Sequence, residues 1–463
     1  MGWREIVKEN DLSVTEILVS ELGVGMRLEA EFYVSGSVSN GSFSGADIID
    51  VAQYGTSKGL NEDHLGFPVL RLNEFEMAFS GVPEKYCDLL SENEFEALKL
   101  KKGDVLICRT NGNPKYVGKA AMVMEDVDYA FASYLFRIKT NASIKPSVLV
   151  AYLNSKSGRK EVEKYSIVSN QANFSPAKFR QISIPEIPTI LQEKVDDLFS
   201  ESWACYKEST RVHKEVEELL LKEIALEGYV PNKQNTSIRK LNECLADDRF
   251  DAEYWEPRFD EMEKRVSAIP QKELGDIVSM QKGIEPGSEA YTSDGKAFIR
   301  VSDISVYGIE SGDKKISDKL YDKLKENYKP QKGEVLFTKD GTIGISFALD
   351  ENIEAVVSGA FLRLKPKIKI NNDYLALVLN SIYCKFQIER MSGGAIIAHL
   401  KPENVKKIKI PILSDAKQEE LAEKATSSLR LRNEAKELLE KAKRAVEIFI
   451  EKDEPEALKY LTS

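Results

Sequence analysis

The sequence predicts an α/β (α+β) chain in which two similar globular domains alternate with two long helices. Three observations support this class. Motifs recur in one order at a nearly constant offset, short apolar strands alternate with helical stretches, and each copy ends in a long helix without Gly. The length of 463 residues also exceeds that of one ordinary domain. The predicted order is therefore globe, helix, globe, helix.

The duplication rests on paired motifs. RLEAEFY at 27–33 recurs as RFDAEYW at 249–255, and KGDVLI at 102–107 recurs as KGEVLF at 332–337. Four further pairs share an offset of 226 residues, namely Asn154-Ser155 with Asn380-Ser381, Pro176 with Pro402, Ile184-Pro185 with Ile410-Pro411, and Gln192-Glu193 with Gln418-Glu419. One short match would be chance, but an ordered series indicates a duplicated unit.

Each copy runs through the same predicted elements. Short strands broken by Gly and Asn come first, followed by a charged helical stretch, a Lys-Gly-acid turn into an apolar strand, a second helix and a closing Ile-x-Ile-Pro. In the two copies these elements fall at 68–73 and 297–302, 91–100 and 318–327, 105–108 and 335–338, 147–164 and 373–390, and 182–185 and 408–411. The second copy gains a segment around 257–270, and the first has a longer loop around 111–118.

A long charged helix is predicted after each closing Pro. Apolar and small residues recur there at spacings of three and four, which is typical of the a/d seam of a coiled coil. The predicted packing positions are Leu191, Val195, Leu198, Val212, Val216 and Leu219 in the first helix and Leu421, Ala425, Leu439, Ala442, Val446 and Phe449 in the second. At Ser202, Cys205 and Ser209 the first seam has small residues instead of large apolar ones, which suggests close packing of the helices.

Two equivalent seams on one chain can satisfy each other, so an intramolecular helix pair is favoured over a homodimeric coiled coil or two solvated helices. At a rise of about 1.5 Å per residue, a helix of roughly 35 residues reaches about 50 Å. The predicted boundaries are 1–188 for the first globe, 189–228 for the first helix, 229–240 for a linker, 241–411 for the second globe, 412–452 for the second helix and 453–463 for a C-terminal tail.

The charge is acidic overall but unevenly distributed. The net charge of −10 argues against a wholly basic nucleic-acid coat. Residues 130–185, however, hold nine Lys and Arg against two Asp and Glu, and residues 356–411 hold ten against three. The same excess in both copies favours phosphate binding over a solvated face balanced elsewhere on the globe.

Polar loops beside these basic segments are candidates for contact with base edges, because Arg, Asn and Gln can make paired hydrogen bonds to guanine or adenine. The candidates in the first copy are Tyr54, Thr56, Ser57, Lys58, Arg109, Asn111, Asn113, Lys115, Asn170, Gln171 and Asn173. Those in the second copy are Gln281, Lys282, Lys339, Thr342, Arg390, His399 and Lys401. For any single residue, ordinary turn chemistry at a surface loop is the competing interpretation.

Motifs for catalysis, metal binding and membrane insertion are missing from the sequence. The five Cys are scattered without CxxC spacing, which predicts reduced thiols and no zinc site. NPKY at 113–116 only faintly echoes the Asn-Pro-Pro-aromatic motif of amino-methyltransferases, and GxxxxGK[ST] is absent. The charged start and the lack of an apolar run of 18 residues predict a cytoplasmic protein. We expect no catalysis, metal or cofactor in this chain alone.

The ordered series resembles the specificity (S) subunit of type I restriction-modification systems over nearly the whole chain. The resemblance is carried by 249–255, 332–337 with Gly341 and Gly344, 400–402, 408–411 and 418–419, together with the first copy and the attached helices. It implies that each globe is a target recognition domain reading one half of a bipartite site in double-stranded DNA. It also implies that the helices pack antiparallel as conserved spacers, whose length sets the unread gap.

The resemblance further implies that two methyltransferase (M) subunits dock on the helices and bring S-adenosylmethionine, while restriction (R) subunits bring ATP and Mg²⁺. This chain would then be a non-catalytic subunit. Two alternatives stay open, the recognition subunit of a related type II (IIB-like) restriction-modification enzyme and a scaffold whose two globes bind protein. Salt-dependent DNA binding separates the scaffold from the other two.

Overall fold

The computed structural model describes residues 41–166, 172–232, 234, 236–309, 312, 314–392 and 399–462. Two compact units are present. Unit 1 holds the described residues up to Tyr206 together with those from Asn433 onward, and unit 2 holds Lys207–Arg432. The repeated motif at 27–33 lies outside the described residues. Within the described part of the chain, no helix is both long and apolar enough to cross a membrane.

The strands of unit 1 are Ser42–Ser44 (β1), Ile49–Tyr54 (β2), Phe67–Leu70 (β3), Phe75–Glu76 (β4), Phe79–Ser80 (β5), Lys85–Cys87 (β6), Val105–Cys108 (β7), Ala120–Met122 (β8), Ala130–Phe131 (β9), Leu135–Thr140 (β10) and Ser183–Pro185 (β11). Those of unit 2 are Gln271–Glu273 (β12), Val278–Lys282 (β13), Tyr291–Thr292 (β14), Lys296–Ile299 (β15), Ile304–Ser305 (β16), Gly308–Ile309 (β17), Lys315–Ile316 (β18), Val335–Thr338 (β19), Ser346–Ala348 (β20), Ala355–Val357 (β21), Phe361–Pro366 (β22) and Lys409–Pro411 (β23).

The described helices are Glu92–Leu98 (α1), Pro146–Asn154 (α2), Lys156–Ser166 (α3), Pro176–Phe179 (α4), Thr189–Glu223 (α5), Leu241–Asp247 (α6), Pro257–Val266 (α7), Leu274–Ile277 (α8), Asp318–Tyr328 (α9), Asn372–Asn380 (α10), Ile382–Ser392 (α11), Pro402–Lys406 (α12), Asp415–Glu451 (α13) and Glu454–Thr462 (α14). Short 3-10 turns lie at Leu72–Glu74, Pro114–Tyr116, Glu253–Trp255, Ser288–Ala290 and Val301–Asp303. The predicted mixture of helix and sheet is confirmed.

Both units are built on a central sheet with an antiparallel core of four strands, which in unit 1 is extended by β4 and by β5, the latter parallel to β8. In unit 1 its strand order is β2-β10-β7-β8-β5-β4, beside a smaller sheet β6-β3-β9 and the pair β1-β11. In unit 2 the order is β13-β22-β19-β20, beside β14-β18-β15-β21 and the pair β12-β23. The predicted strands at 105–108 and 335–338 are β7 and β19, the buried centres of the two sheets.

The Lys-Gly-acid motif forms a turn that buries an ion pair in each unit. Gly103 adopts a φ of +88°, which favours Gly, and the following carboxylate of Asp104 pairs with Arg137 at 3.1 Å. In unit 2, Glu334 accepts two hydrogen bonds from Arg363, each at 2.8 Å. These four charged side chains are almost fully buried, so each pair needs both partners.

One predicted helix in each copy is two helices in the structure, so the prediction of continuous helices over 147–164 and 373–390 is wrong. The break falls at Ser155 and Ser381, which take extended ψ values of 163° and 159°. Each hydroxyl donates to the carbonyl three residues earlier at 2.6 Å, which satisfies the helix end locally.

The Asn that precedes each of these Ser residues ties the helix to the sheet. Asn154 donates to the carbonyl of Ala120 in β8 at 2.8 Å and accepts from its N–H at 3.1 Å. Asn380 makes the same pair of contacts with Ser346 in β20, at 2.8 and 2.9 Å. The repeated Asn-Ser motif therefore joins helix and sheet in the same way in both units.

The repeated Gln anchors the start of each long helix on its globe. Gln192 accepts from the N–H of Lys145 at 2.8 Å and donates to the carbonyl of Ile187 at 2.9 Å. Gln418 near the start of α13 accepts from the N–H of Asn371 at 3.1 Å. Both helix origins are thus fixed by the same side chain in the same role.

The long helices α5 and α13 each contribute residues to both units. Within unit 2, Ser209 lies opposite Ser428, and Lys417 pairs with Glu223 at 3.0 Å, so the helices run antiparallel there. Within unit 1, Ser202 donates to the carbonyl of Ala435 at 2.7 Å. Buried small residues thus lie where the two helices contact each other.

The predicted helix-packing positions are distributed between the two cores. Leu191, Val195, Leu439, Ala442 and Val446 lie in the main core of unit 1, with Leu198 and Phe449 packed against it. In unit 2, Val216 and Leu421 lie in the main core, Leu219 and Ala425 pack against it, and Val212 is half-buried. The terminal helix α14, at the position of the predicted tail, buries Ala457 in the core of unit 1.

Candidate nucleic-acid interface

The sheet register brings several of the predicted DNA-contacting residues to one edge in unit 1. Cys108 and Tyr54 lie opposite Leu135 and Phe136 of β10, so β2 and β7 end at the same side of the sheet. We call this the strand-end edge of unit 1, and its residues are Tyr54, Thr56, Arg109, Thr110 and Asn173.

The same edge exists in unit 2 with different side chains. Lys282 and Thr338 lie opposite Leu362 and Phe361 of β22, so β13 and β19 also end together. The strand-end edge of unit 2 is formed by Lys282, Lys339, Asp340 and His399.

Arg109 and Lys339 hold equivalent positions, each directly after its central strand. The N–H of Arg109 donates to Tyr134 and that of Lys339 to Ala360, both at 2.8 Å. The carbonyl oxygen of Arg109 accepts from the N–H of Phe174 at 2.8 Å, in a segment that returns to the sheet. The carbonyl oxygen of Lys339 likewise accepts from a backbone N–H of a returning segment in unit 2. One framework therefore presents a cation at the same place in both units.

The surroundings of the two cations differ. The Arg109 guanidinium lies 5.2 Å from the ring centroid of Tyr54, whose side chain is 47% exposed. Lys339 is only 2% exposed, and its ammonium contacts Asp340, which also contacts His399. The charge of Lys339 is thus already compensated inside unit 2.

Several other predicted residues of unit 1 serve local structure. Lys58 donates to Glu94 at 2.7 Å, and this hydrogen bond is the main cause that lowers the pKa of Glu94 to about 2. The side-chain oxygen of Asn111 accepts from the N–H of Asn113 at 2.8 Å, and that of Asn113 accepts from the N–H of Lys115 at 3.1 Å. These contacts are the turn chemistry named above as the competing interpretation.

The other predicted DNA-contacting residues of the first copy differ in their surroundings. Ser57 is exposed, and Thr56 is buried and accepts from the N–H of Lys58 at 3.2 Å. Asn173 forms an isolated antiparallel bridge with Thr110. Asn170 and Gln171 lie outside the described residues.

In the second copy, Arg390 lies away from the strand-end edge. Its guanidinium packs 4.6 Å from the ring of Tyr254 and forms ion pairs with Asp260 at 3.3 Å and Glu263 at 3.5 Å. These contacts hold the motif at 249–255 and α7 onto α11. The contacts of Arg390 therefore stabilise the fold of unit 2.

The other predicted residues of unit 2 are more open. Lys282, Thr342 and Lys401 are exposed, and Lys401 precedes the first residue of α12. Gln281 donates its side-chain amide to the carbonyl of Asn327. The carbonyl of Thr342 accepts from Thr338 at 2.6 Å within the turn between β19 and β20.

The basic segments contribute less free charge than their composition suggests. Arg137 and Arg363 belong to the buried ion pairs, and Lys145 pairs with Asp196 at 2.9 Å. Lys369 and Lys409 also contact carboxylates. Part of the repeated positive excess therefore lies in ion pairs, so these segments carry fewer uncompensated cations than their composition suggests.

Sequence reasoning missed two tyrosines in the turns near Arg109. Tyr134, whose carbonyl accepts from Arg109, is 63% exposed, and Tyr116 is also exposed. An aromatic residue in a polar turn next to a strand was the available signal, because exposed tyrosines favour binding surfaces.

No group of three or more His, Cys, Asp or Glu converges on a metal-binding geometry within the described ranges. All five cysteines are free thiols. Burial raises the pKa of Cys108 to about 11, so this thiol is protonated near neutral pH.

Comparison with known proteins places this fold in a class. Residues 269–441 match the family model of the type I restriction modification DNA specificity domain. A type I restriction enzyme MjaX specificity subunit of Methanocaldococcus jannaschii is 23% identical over 421 residues, which cover 86% of this chain and 90% of that one.

Two solved structures are also similar. The type I restriction-modification S subunit from M. genitalium is 12% identical with a TM-score of 0.38, covering 91% of this chain and 95% of that one. The HsdS subunit from Thermoanaerobacter tengcongensis is 12% identical with a TM-score of 0.27, covering 89% and 95%.

Residues 269–441 therefore match a type I DNA specificity domain, and the resemblance inferred from the sequence is confirmed. These comparisons support the role of a DNA-recognition subunit. Specificity subunits of type I systems are non-catalytic, in agreement with the sequence-based expectation.

Proposed function

We propose that the strand-end edges of units 1 and 2 are the surfaces that read DNA, each contacting one half of a bipartite site. The observation that carries this proposal is the equivalence of Arg109 and Lys339 on matching frameworks with different neighbours. Two modules that share a scaffold but differ in the residues at its edge can read different short sequences. The first target recognition domain is proposed at 1–188 and the second at 241–411.

The long helices act in this proposal as the spacer between the half-sites and as the docking surface for two M subunits. The Gln anchors fix the start of each helix on its globe, and the buried Ser contacts join the two helices to each other. The helix length can therefore set the distance between the two half-sites that are read. S-adenosylmethionine belongs to the M subunits, and ATP and Mg²⁺ to the R subunits. This chain binds none of them in the proposal.

Of the two alternatives, the IIB-like recognition subunit shares the DNA-reading role, and the protein-binding scaffold does not. The family match favours the type I specificity subunit over both.

Binding measurements test the proposal. The chain reconstituted with its M subunit is titrated with duplex DNA carrying a candidate bipartite site and with scrambled duplex, from about 50 to 200 mM salt. We expect preference for the bipartite site and a linear fall of log affinity with log salt concentration. Equal affinity for both duplexes, without dependence on salt, would contradict DNA reading.

A further inference from the structure

We infer that Arg109, stacked on Tyr54, determines a guanine in the half-site read by unit 1, and that unit 2 lacks this guanine-reading device. This inference rests on the proposed function. It names a base and a residue, whereas the proposed function names only a surface.

The backbone of Arg109 is fixed on both sides. Its N–H donates to the carbonyl of Tyr134 and its carbonyl accepts from the N–H of Phe174, both at 2.8 Å. The side chain therefore leaves the sheet from a position that the framework defines. Such anchoring suits a residue that must meet a base edge with small positional error.

The guanidinium is held by stacking and not by a carboxylate. It lies 5.2 Å from the centroid of the half-exposed Tyr54 ring, and no described residue forms an ion pair with it. Arg71, Arg137 and Arg300, by contrast, each pair with an acid in their own unit. Arg109 thus keeps its full charge and its donors for a ligand.

A second observation points to a ligand. The Nε atoms of Arg109, Arg137 and Arg390 are all buried without a hydrogen-bond partner, but the terminal nitrogens of Arg137 and Arg390 pair with carboxylates, whereas no described residue accepts from those of Arg109. A buried donor without a partner costs stability and calls for an explanation. With Nε enclosed, the terminal nitrogens form the fork that matches the O6 and N7 acceptors of guanine in the major groove.

Unit 2 serves as an internal comparison. Lys339 occupies the equivalent position, but it is buried and contacts Asp340. An ammonium that is enclosed and already paired cannot offer a fork to a base. The two half-sites should therefore differ in this one requirement for guanine.

A phosphate would also accept from a guanidinium, and the experiment separates the two ligands. The half-sites are first obtained by mapping modified adenines in DNA from cells that carry the wild-type chain with its M subunit. Competitor duplexes with each base pair changed in turn are then bound by the wild-type, Arg109→Ala and Tyr54→Ala complexes. The matched control is Arg180→Ala, an exposed Arg of the same unit that lies in the turn after α4.

For Arg109→Ala we expect loss of discrimination at one G·C pair of one half-site, by about 5- to 150-fold, with the other half-site unaffected. Tyr54→Ala should weaken discrimination at the same pair, and Arg180→Ala should leave every base preference in place. Uniform weakening on all sequences, with a salt slope lower by about one, would identify a phosphate contact and overturn the inference. Retention of every preference by Arg109→Ala would overturn it as well. Failure of the wild-type complex to select any bipartite site would instead contradict the proposed function.

Discussion

Ser209 and Ser428 exchange hydrogen bonds between the two long helices, each hydroxyl donating to the other residue's carbonyl oxygen at 2.8 Å. Both side chains are fully or almost fully buried. Small residues allow close approach of the helix backbones, and each hydroxyl finds its hydrogen-bond acceptor on the other helix. The arrangement explains why the first seam contains Ser where a coiled coil would ordinarily place Leu.

This contact predicts that a larger side chain is worse than a missing hydroxyl. Ser209→Ala should lower the free energy of unfolding by about 1 kcal/mol through lost hydrogen bonding. Ser209→Leu should cost more, by roughly 1–3 kcal/mol of overpacking in addition. Urea unfolding measures both, with exposed Lys214→Ala as the control on the same helix. A leucine variant as stable as the wild type would contradict close helix contact.

The buried ion pair of unit 2 predicts a strongly asymmetric mutational response. Glu334→Gln leaves Arg363 buried without its carboxylate and should lower the free energy of unfolding by about 3–5 kcal/mol. Replacing both residues with apolar side chains of similar volume should restore much of the loss, because no buried charge remains. Denaturant unfolding of the single and double variants checks this. Equal loss in both would mean that the pair is not the source of the effect.

His213 of α5 predicts a pH dependence of stability. Burial lowers the pKa of His213 below its usual 6.5, and the charges of Arg432 and Lys385 act in the same direction, whereas Glu217 opposes them. The ring also packs 5.0 Å from that of Tyr307. The unfolded chain binds the proton more readily, so stability is full above about pH 6.5 and falls as the pH drops towards the lowered folded-state pKa.

The test is His213→Gln, which cannot titrate. We expect thermal unfolding of this variant to change less between pH 7 and 5 than that of the wild type. The control is His64→Asn, an exposed site at a φ of +57° that Asn tolerates. A wild-type-like pH profile for His213→Gln would exclude this histidine as the cause.

Much of the framework could be predicted from the sequence because a duplication doubles every local signal. The strands at β7 and β19 were located residue by residue, since an apolar run, VLIC in one copy and VLF followed by Thr338 in the other, comes directly after a Lys-Gly-acid turn. The break at Ser155 was not predicted, because apolar periodicity continues across it and only a side-chain contact with the carbonyl of Tyr152 reveals the helix end.

The candidate site was harder to predict, because contacts between distant segments decide which cations are free. Arg390 and Arg109 look alike in sequence, yet one pairs with Asp260 and the other stacks on Tyr54. Their partners lie more than fifty residues away in the chain. Local composition therefore found the basic segments but could not separate structural from available charge.

Substitution of Lys339, which lies in unit 2, should change the base preference in only one half-site. Lys339→Met removes an ammonium that holds Asp340 in place beside His399. We expect altered base preference in the half-site of unit 2 and unchanged preference in that of unit 1. Competitor binding with the reconstituted complex measures both halves, and the exposed residue Lys385 of α11, changed to Met, serves as the control. Parallel changes in both halves would contradict independent reading.

The central claim is that two units on one chain read two half-sites separated by an unread spacer. Mapping modified adenines in DNA from cells that carry this chain with its M subunit tests it most directly. The account predicts a single bipartite motif whose two specified halves are separated by a gap of fixed length. A contiguous motif, or modification without any sequence preference, would contradict it.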